Sequence, residues 1–351
     1  MSRTNFTAGG LPWLDEPLRR TLATRDAHAL LVHGPGDVGQ FELSLLLAQA
    51  WLCENLTLPI AERPCRACAS CRLVFARSHP DQMVLVPAAL RESLGWDAPG
   101  DGDDAAEGGS SKKKPSKEIR VEAVRAAIEF ANVTSARGRG KVVVVHPAER
   151  MNVVAANAFL KTLEEPAGSA RFVLCSAAPD TLLPTIRSRC QSVPLPVPPQ
   201  AQAEAWLIER GIEQPAVLLA GCAGQPAQVL AVRALGIDAQ VWQALPARVS
   251  RGDASACQGW PLPLVVEALQ KLCHDAVSLA CGGQPRFFPA GCVPAGALLP
   301  ALYEWSAELA RVARHAEHPW TLDLSTQSLV QQGAEALQTA RYAGGREVGP
   351  R

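Results

Sequence analysis

The sequence predicts a doubly wound α/β domain followed by an all-helical second half. Short, continuously apolar strand-like runs alternate with helical periods through the first 196 residues, and a Gly-rich turn follows the first of those runs. Beyond a proline-rich stretch the chain is rich in Ala and Leu and carries no strand signal. At 351 residues, with 48% hydrophobic and 19% charged positions, the chain has material for two or three cores and is not a disordered protein.

The first strand is Ala29-Leu30-Leu31-Val32-His33, closed by Gly34-Pro35-Gly36. Residues 41–53 follow as a helix, and Met83-Val84-Leu85-Val86-Pro87 gives a second strand. From Asp97 to Lys117 an acidic, Gly-containing stretch runs into Ser and lysines, a composition that buries no core and reads as a flexible surface insertion or, alternatively, as an electrostatic contact with DNA or a partner. Ile119 to Ile128 has helical spacing, and Val142-Val143-Val144-Val145 is a buried strand of a parallel sheet. Asn152 to Glu165 is a helix ended by Pro166, with Lys161 spaced to pair with Glu164 or Glu165. Arg171 to Cys175 is the next strand. Pro194-Leu195-Pro196-Val197-Pro198-Pro199 is a stiff linker and the expected domain boundary, and the helical half beyond it is expected to divide near residue 240.

Composition narrows the functional classes. Lys plus Arg (34) balances Asp plus Glu (34), so the chain lacks the broad basic footprint of a protein that holds nucleic acid alone. Its apolar runs are far shorter than the ~20 residues of a membrane span, and Met1 to Asn5 leads into no export signal, so a cytoplasmic protein is expected.

Gly34-Pro35-Gly36-Asp37-Val38-Gly39-Gln40-Phe41 sits where a G-x-x-x-x-G-K-[ST] phosphate loop belongs. Gly34, Gly36 and Gly39 are present, but Gln40 replaces the lysine and Phe41 the magnesium-binding hydroxyl, so hydrolysis is not expected. Taken alone, the glycines fit a purely structural turn equally well. After the central strand, His146 and Pro147 occupy the places of the acids that organise magnesium and water, leaving Glu149 nearby. Both defects fall where ATP chemistry would be done, which favours a relic ATPase domain.

Four of the eleven cysteines crowd together: Cys53, Cys65, Cys68 and Cys71. This spacing suits a closed, structural zinc site with no open position for substrate. An iron–sulfur cluster is the rival, although its usual run calls for a cysteine at the position of Phe75, and ordinary buried thiols are a third reading. His79 is a further candidate ligand or a simple turn residue. Past the last strand, Arg187 and Arg189 read as surface charges or, beside a disabled phosphate site, as an arginine given in trans to a neighbour's γ-phosphate.

Ser188-Arg189-Cys190, the stretch Asn157 to Pro166 (NAFLKTLEEP) and the cysteine module after the first helix together resemble the clamp-loader branch of the AAA+ ATPases. The resemblance is strong from Ala29 to Pro196 and rests on length and helical composition beyond. It implies an AAA+ (P-loop-like) domain over 1–196 with a zinc module at 53–71 and the 97–117 insertion, a helical lid at 197–240, and a helical collar at 241–351. It implies that Arg189 is an arginine finger for an adjacent ATPase subunit and that Cys53, Cys65, Cys68 and Cys71 are the zinc ligands. No working ATP site is implied, and Ala223 to Ala227 lacks the nucleotide-sensing arginine of active lids. The implied partners are the loader's ATPase (gamma/tau) subunits, a delta subunit and, through the complex, the sliding clamp and primed DNA. Polymerase activity, a DNA-directed nucleotidyl transfer, would then belong to the assembly and not to this chain. The competing expectations are an active AAA+ ATPase with unusual phosphate contacts, or a zinc-containing DNA-binding protein.

Overall fold

The computed structural model describes residues 10–24, 27–96, 115–314 and 322–342, without the side chains of 322, 323 and 338–342. Apart from its end at 115–117, the expected insertion lies outside the described residues. The chain forms two compact units, residues 1–197 and 198–351.

The first unit opens with a helix that the sequence analysis did not anticipate, α1 (Asp15–Thr24), followed by β1 (Ala29–His33) and α2 (Gln40–Leu52). It continues through α3 (Ala69–Phe75), β2 (Gln82–Leu85), α4 (Ala88–Leu94), α5 (Val121–Asn132) and β3 (Val142–Val145). The final elements are α6 (Val153–Glu164), β4 (Arg171–Ser176), α7 (Pro184–Arg187) and β5 (Gln191–Pro194). The five strands pair in parallel in the order β2-β3-β4-β1-β5.

The valines of β3 are all buried because helices cover both faces of the sheet. Ala29, Leu31, Val143, Val145, Phe172 and Leu174 face a core completed by α5 and α6, where Phe159 meets Phe172 edge-on at 5.3 Å. The alternate residues turn toward α2, whose Ser44 Oγ accepts from Cys175 Sγ at 3.0 Å. Helix α2 is apolar almost all round, as expected of a helix buried between the sheet and its neighbours. The expected helix from Ile119 starts at Val121, because Ile119 pairs instead as a bridge with Met151. Helix α6 begins at Asn152, whose Oδ1 accepts from Ala155 N at 2.8 Å as an N-cap.

The second unit, among the described residues, is helical: α8 (Gln200–Ile208), α9 (Pro215–Gly221), α10 (Pro226–Ala234) and α11 (Ala239–Val249), then α12 (Leu262–Ala280), α13 (Leu299–Arg314) and α14 (Leu322–Tyr342). Residue 240, the expected dividing point, lies in the first turn of α11. Trp242 of that helix stacks on Phe288 at 4.8 Å, and buried Asp275 accepts from the N–H groups of Arg286, Phe287 and Phe288 to hold that loop. The long helices α12, α13 and α14 pack around Leu269, Leu272, Leu302, Trp305, Leu309 and Val330. No single helix among the described residues is long and apolar enough to cross a membrane.

Candidate functional site

The phosphate-loop-like turn lies between β1 and α2, and its own side chains fill it. Gln40, 6% exposed, donates from Nε2 to Gly34 O at 3.0 Å and also to Pro35 O. Trp13 Nε1 donates to Val38 O at 2.8 Å. A lysine in the place of Gln40 would carry its charge to a phosphate; the amide instead closes the loop on its own carbonyls. Two of the glycines have local reasons to be there. A Cβ on Gly34 would collide with Leu195 O, and Gly39 has φ of 107°, with Leu11 and Leu14 packed where a side chain would go.

Two positions that depart from the phosphate-loop pattern touch each other. Phe41 and His146 stack with ring centroids 4.5 Å apart and planes 21° from parallel. Burial pushes the imidazole down from its ordinary 6.5 to about 4, and its Nδ1 is buried with no hydrogen-bond partner. A neutral, aromatic contact stands where a hydroxyl and carboxylates would hold magnesium. Glu149 lies in a short 3-10 turn after β3, half-buried, and accepts from Ala177 N at 3.1 Å, so it serves as a loop brace.

At the other end of α2, the sulfurs of Cys53, Cys65, Cys68 and Cys71 all lie within 4.8 Å of one another. Cys53 is the C-cap of α2, and Cys68 caps α3, which carries Cys71. Cys65 and Cys71 sulfurs are 3.9 Å apart, against the ~3.8 Å that a tetrahedron with ~2.3 Å metal–sulfur bonds requires. Backbone N–H groups point at the sulfurs: Cys68 N to Cys65 at 3.3 Å and Cys71 N to Cys68 at 3.4 Å. Burial raises the Cys65 thiol, but the N–H groups of Ala67 and Cys68 outweigh it and bring the thiol down to about 7. Burial pushes Cys71 strongly upward. The geometry and the donor set fit a metal ion held by four thiolates.

A polar shell ties this cluster to the sheet. Glu54 binds Arg137 through Nε at 2.7 Å and accepts from Ser70 N at 3.3 Å. His79 spans Ser70 Oγ, at 2.5 Å, and Asp81 N, at 3.0 Å. Both ring nitrogens are thereby engaged, and His79 is a turn residue and not a fifth ligand. Asp81 is fully buried and accepts from Ala136 N, Arg137 N and Lys141 Nζ, which together hold its carboxyl below the usual range despite burial.

The Ser188-Arg189-Cys190 segment joins α7 to β5. Cys190 packs against the core, and burial raises its thiol to about 12. Ser188 Oγ donates to Thr185 O at 3.1 Å, tightening the turn. Arg189 is thereby left at the surface, with its side chain 30% exposed. Its Nε and Nη2 both donate to Glu164 Oε2, at 3.1 and 2.9 Å, and Nη1 donates to Thr185 O at 3.1 Å. Arg187 pairs with Asp180 on an exposed surface. Sequence spacing pointed Glu164 toward Lys161; the fold gives it to Arg189, 25 residues away, and no sequence signal marked that partner. The Phe41–His146 contact and the Asp81 hub were equally invisible, since each joins residues separated by long stretches of chain.

The family model described as DNA polymerase III, delta subunit, matches residues 16–199, just over half of the chain. DNA polymerase III subunit delta' of Pseudomonas aeruginosa is 34% identical over 253 residues, which are 69% of this chain and 69% of that protein. The subunit delta' of Escherichia coli is 30% identical over 282 residues, covering 74% of this chain and 76% of its own. A solved DNA polymerase III gamma subunit-related protein of Thermotoga maritima aligns with 92% of this chain and 99% of its own at 18% identity and a TM-score of 0.47. A match that runs from α1 to the end of the sheet, with 30–34% identity extending into the helical half, means that the chain belongs to the DNA polymerase III subunit delta' family.

Proposed function

We propose that this chain is a non-hydrolysing subunit of the DNA polymerase III clamp loader, one that serves as a stator and lends Arg189 to ATP bound by a neighbouring ATPase subunit. The carrying observation is the filled relic site: Gln40 folded onto the loop carbonyls and Phe41 stacked on His146 leave neither counter-charge for phosphates nor ligands for magnesium. The arginine, by contrast, is held at the surface by a half-buried cysteine packed on the core on one side and a turn-tightening serine on the other. A fixed, planar cation of that kind stabilises phosphoryl-transfer charge in trans.

The four cysteines hold structural zinc in this reading; all four ligands come from the protein, so the ion braces the first unit and does no chemistry. The helical unit divides into a lid, residues 197–240, and a collar, residues 241–351, that joins the subunits into a ring. Its partners are the gamma/tau ATPase subunits and the delta subunit, with the sliding clamp and primed DNA met through the complex in the cytoplasm.

The test is ATP turnover by the purified chain alone, and then with the host's ATPase subunits, delta subunit, clamp and primed DNA. The chain alone is expected to be silent, and Arg189→Ala is expected to slow the reconstituted loader, in which an arginine finger is worth roughly 10³–10⁵ in rate at the site it serves. Turnover by the chain alone would return it to the active ATPases, and a loader indifferent to Arg189→Ala would remove the donor role.

A further inference from the structure

Arg189 is not a loose surface charge. It leaves a turn whose neighbours, Ile186 and Cys190, are fixed in or against the main core, and its guanidinium is gripped from two directions. Glu164, the last residue of α6, takes the edge formed by Nε and Nη2, while the carbonyl of Thr185 takes Nη1. A guanidinium has five N–H groups. Three are used here, and one remains on each terminal nitrogen. The cation can therefore donate to phosphate oxygens through those two groups without releasing Glu164.

From this geometry we infer that Glu164 is the positioning residue of the arginine finger: it holds the guanidinium through Nε and Nη2 so that the remaining N–H groups are presented, already oriented, to the neighbouring subunit's nucleotide. The inference rests on the arginine-donor reading proposed above and adds to it the residue that makes the donation effective. Arginine carries large rotamer freedom, and ordering it at the moment of reaction slows the step; a carboxylate that has already ordered it removes that loss. Glu164 does not touch the nucleotide, so its removal acts on the chemical step through Arg189 alone.

The experiment uses the reconstituted loader with clamp and primed DNA, carrying the chain as wild type, Glu164→Ala, Glu164→Gln, Arg189→Ala, or Glu164→Ala with Arg189→Ala. Glu164→Ala is expected to lower kcat roughly threefold or more with the KM for ATP unchanged, as befits loss of orientation and not of binding. Glu164→Gln should recover most of that loss, because its amide oxygen accepts from the same two donors. In the Arg189→Ala background, Glu164→Ala should change nothing, the signature of two residues acting as one unit. Thermal melts of the isolated chain check that each variant folds as wild type does. Wild-type kcat for a folded Glu164→Ala loader, or an equal fold loss in both backgrounds, overturns the positioning role while leaving the donor reading intact. An Arg189→Ala loader with wild-type turnover overturns the donor reading itself, and the positioning role with it.

Discussion

Helix α2 begins on a turn shaped like a phosphate loop and ends, 13 residues later, on a cluster of four thiols. At its first turn stand a self-satisfied Gln40 amide and a stack of Phe41 on His146. At its last, the complete set of soft ligands is present, with backbone N–H groups aimed at two of the sulfurs. The difference teaches that the two ends of one helix answer to different demands. A turn whose polar groups are buried must satisfy them within itself, because unpaired buried polar groups are costly. A metal site must keep every ligand, because losing one of four exposes the ion and uncouples the fold it braces.

On stability, the cluster end should be the more sensitive. Cys68→Ser is expected to strip most of the metal and to destabilise the first unit by more than ~3 kcal/mol, since the binding free energy of a structural zinc is folding free energy. Elemental analysis and thermal melting of the purified chain check this, and a metal-free wild type that is fully folded would break the contrast at once. At the loop end, Phe41→Ala should cost about 3 kcal/mol, the usual order for a buried phenyl group, without creating ATP binding. Urea denaturation measures the first part and calorimetric titration with ATP the second; a variant that binds ATP would show that the stack alone blocks the relic site.

The same stack predicts a pH signature. His146 is held neutral by burial, with its folded value near 4 against 6.5 unfolded, so below pH 6.5 the unfolded chain binds the proton more readily. Stability is therefore lost progressively as pH falls from 6.5 to about 4 and no further below that. His146→Phe keeps a ring on Phe41 and removes the titration, so its stability relative to wild type should grow by about 2 kcal/mol between pH 7 and pH 5. A gap independent of pH would mean that the imidazole is not held neutral. Smallest of all, Arg189→Ala should change the melting free energy of the isolated chain by less than ~1 kcal/mol, because the Arg189–Glu164 pair is partly exposed. A larger loss would make Arg189 a structural residue and blur the line between fold and function.

Much of this was legible from the residue order. The strands β1, β3 and β4 announced themselves as continuous apolar runs because a parallel sheet covered on both faces needs no polar side. The cysteine cluster was legible because its spacing is short, and close thiols on tight turns have few other uses. Helices α1 and α4 were missed: α1 buries only a narrow face through Leu18 and Leu22, and α4 has no buried residue to impose a period. The expected Lys161 pairing followed the i,i+3 and i,i+4 rule within one helix, and a contact from another element prevailed over it.

By itself, then, the sequence determined which residue types stand where: no lysine at the end of the Gly-rich turn, no acid directly after the central strand, four clustered thiols and a Ser-Arg-Cys segment. Those are statements about residue types at short spacing, and local order carries them. Only the tertiary structure decided that Phe41 stacks on His146, that Asp81 gathers Ala136, Arg137 and Lys141, and that Glu164 grips Arg189. Each of those contacts joins segments that the sheet order brings side by side, and its energy depends on distance and burial in space, which no spacing along the chain encodes.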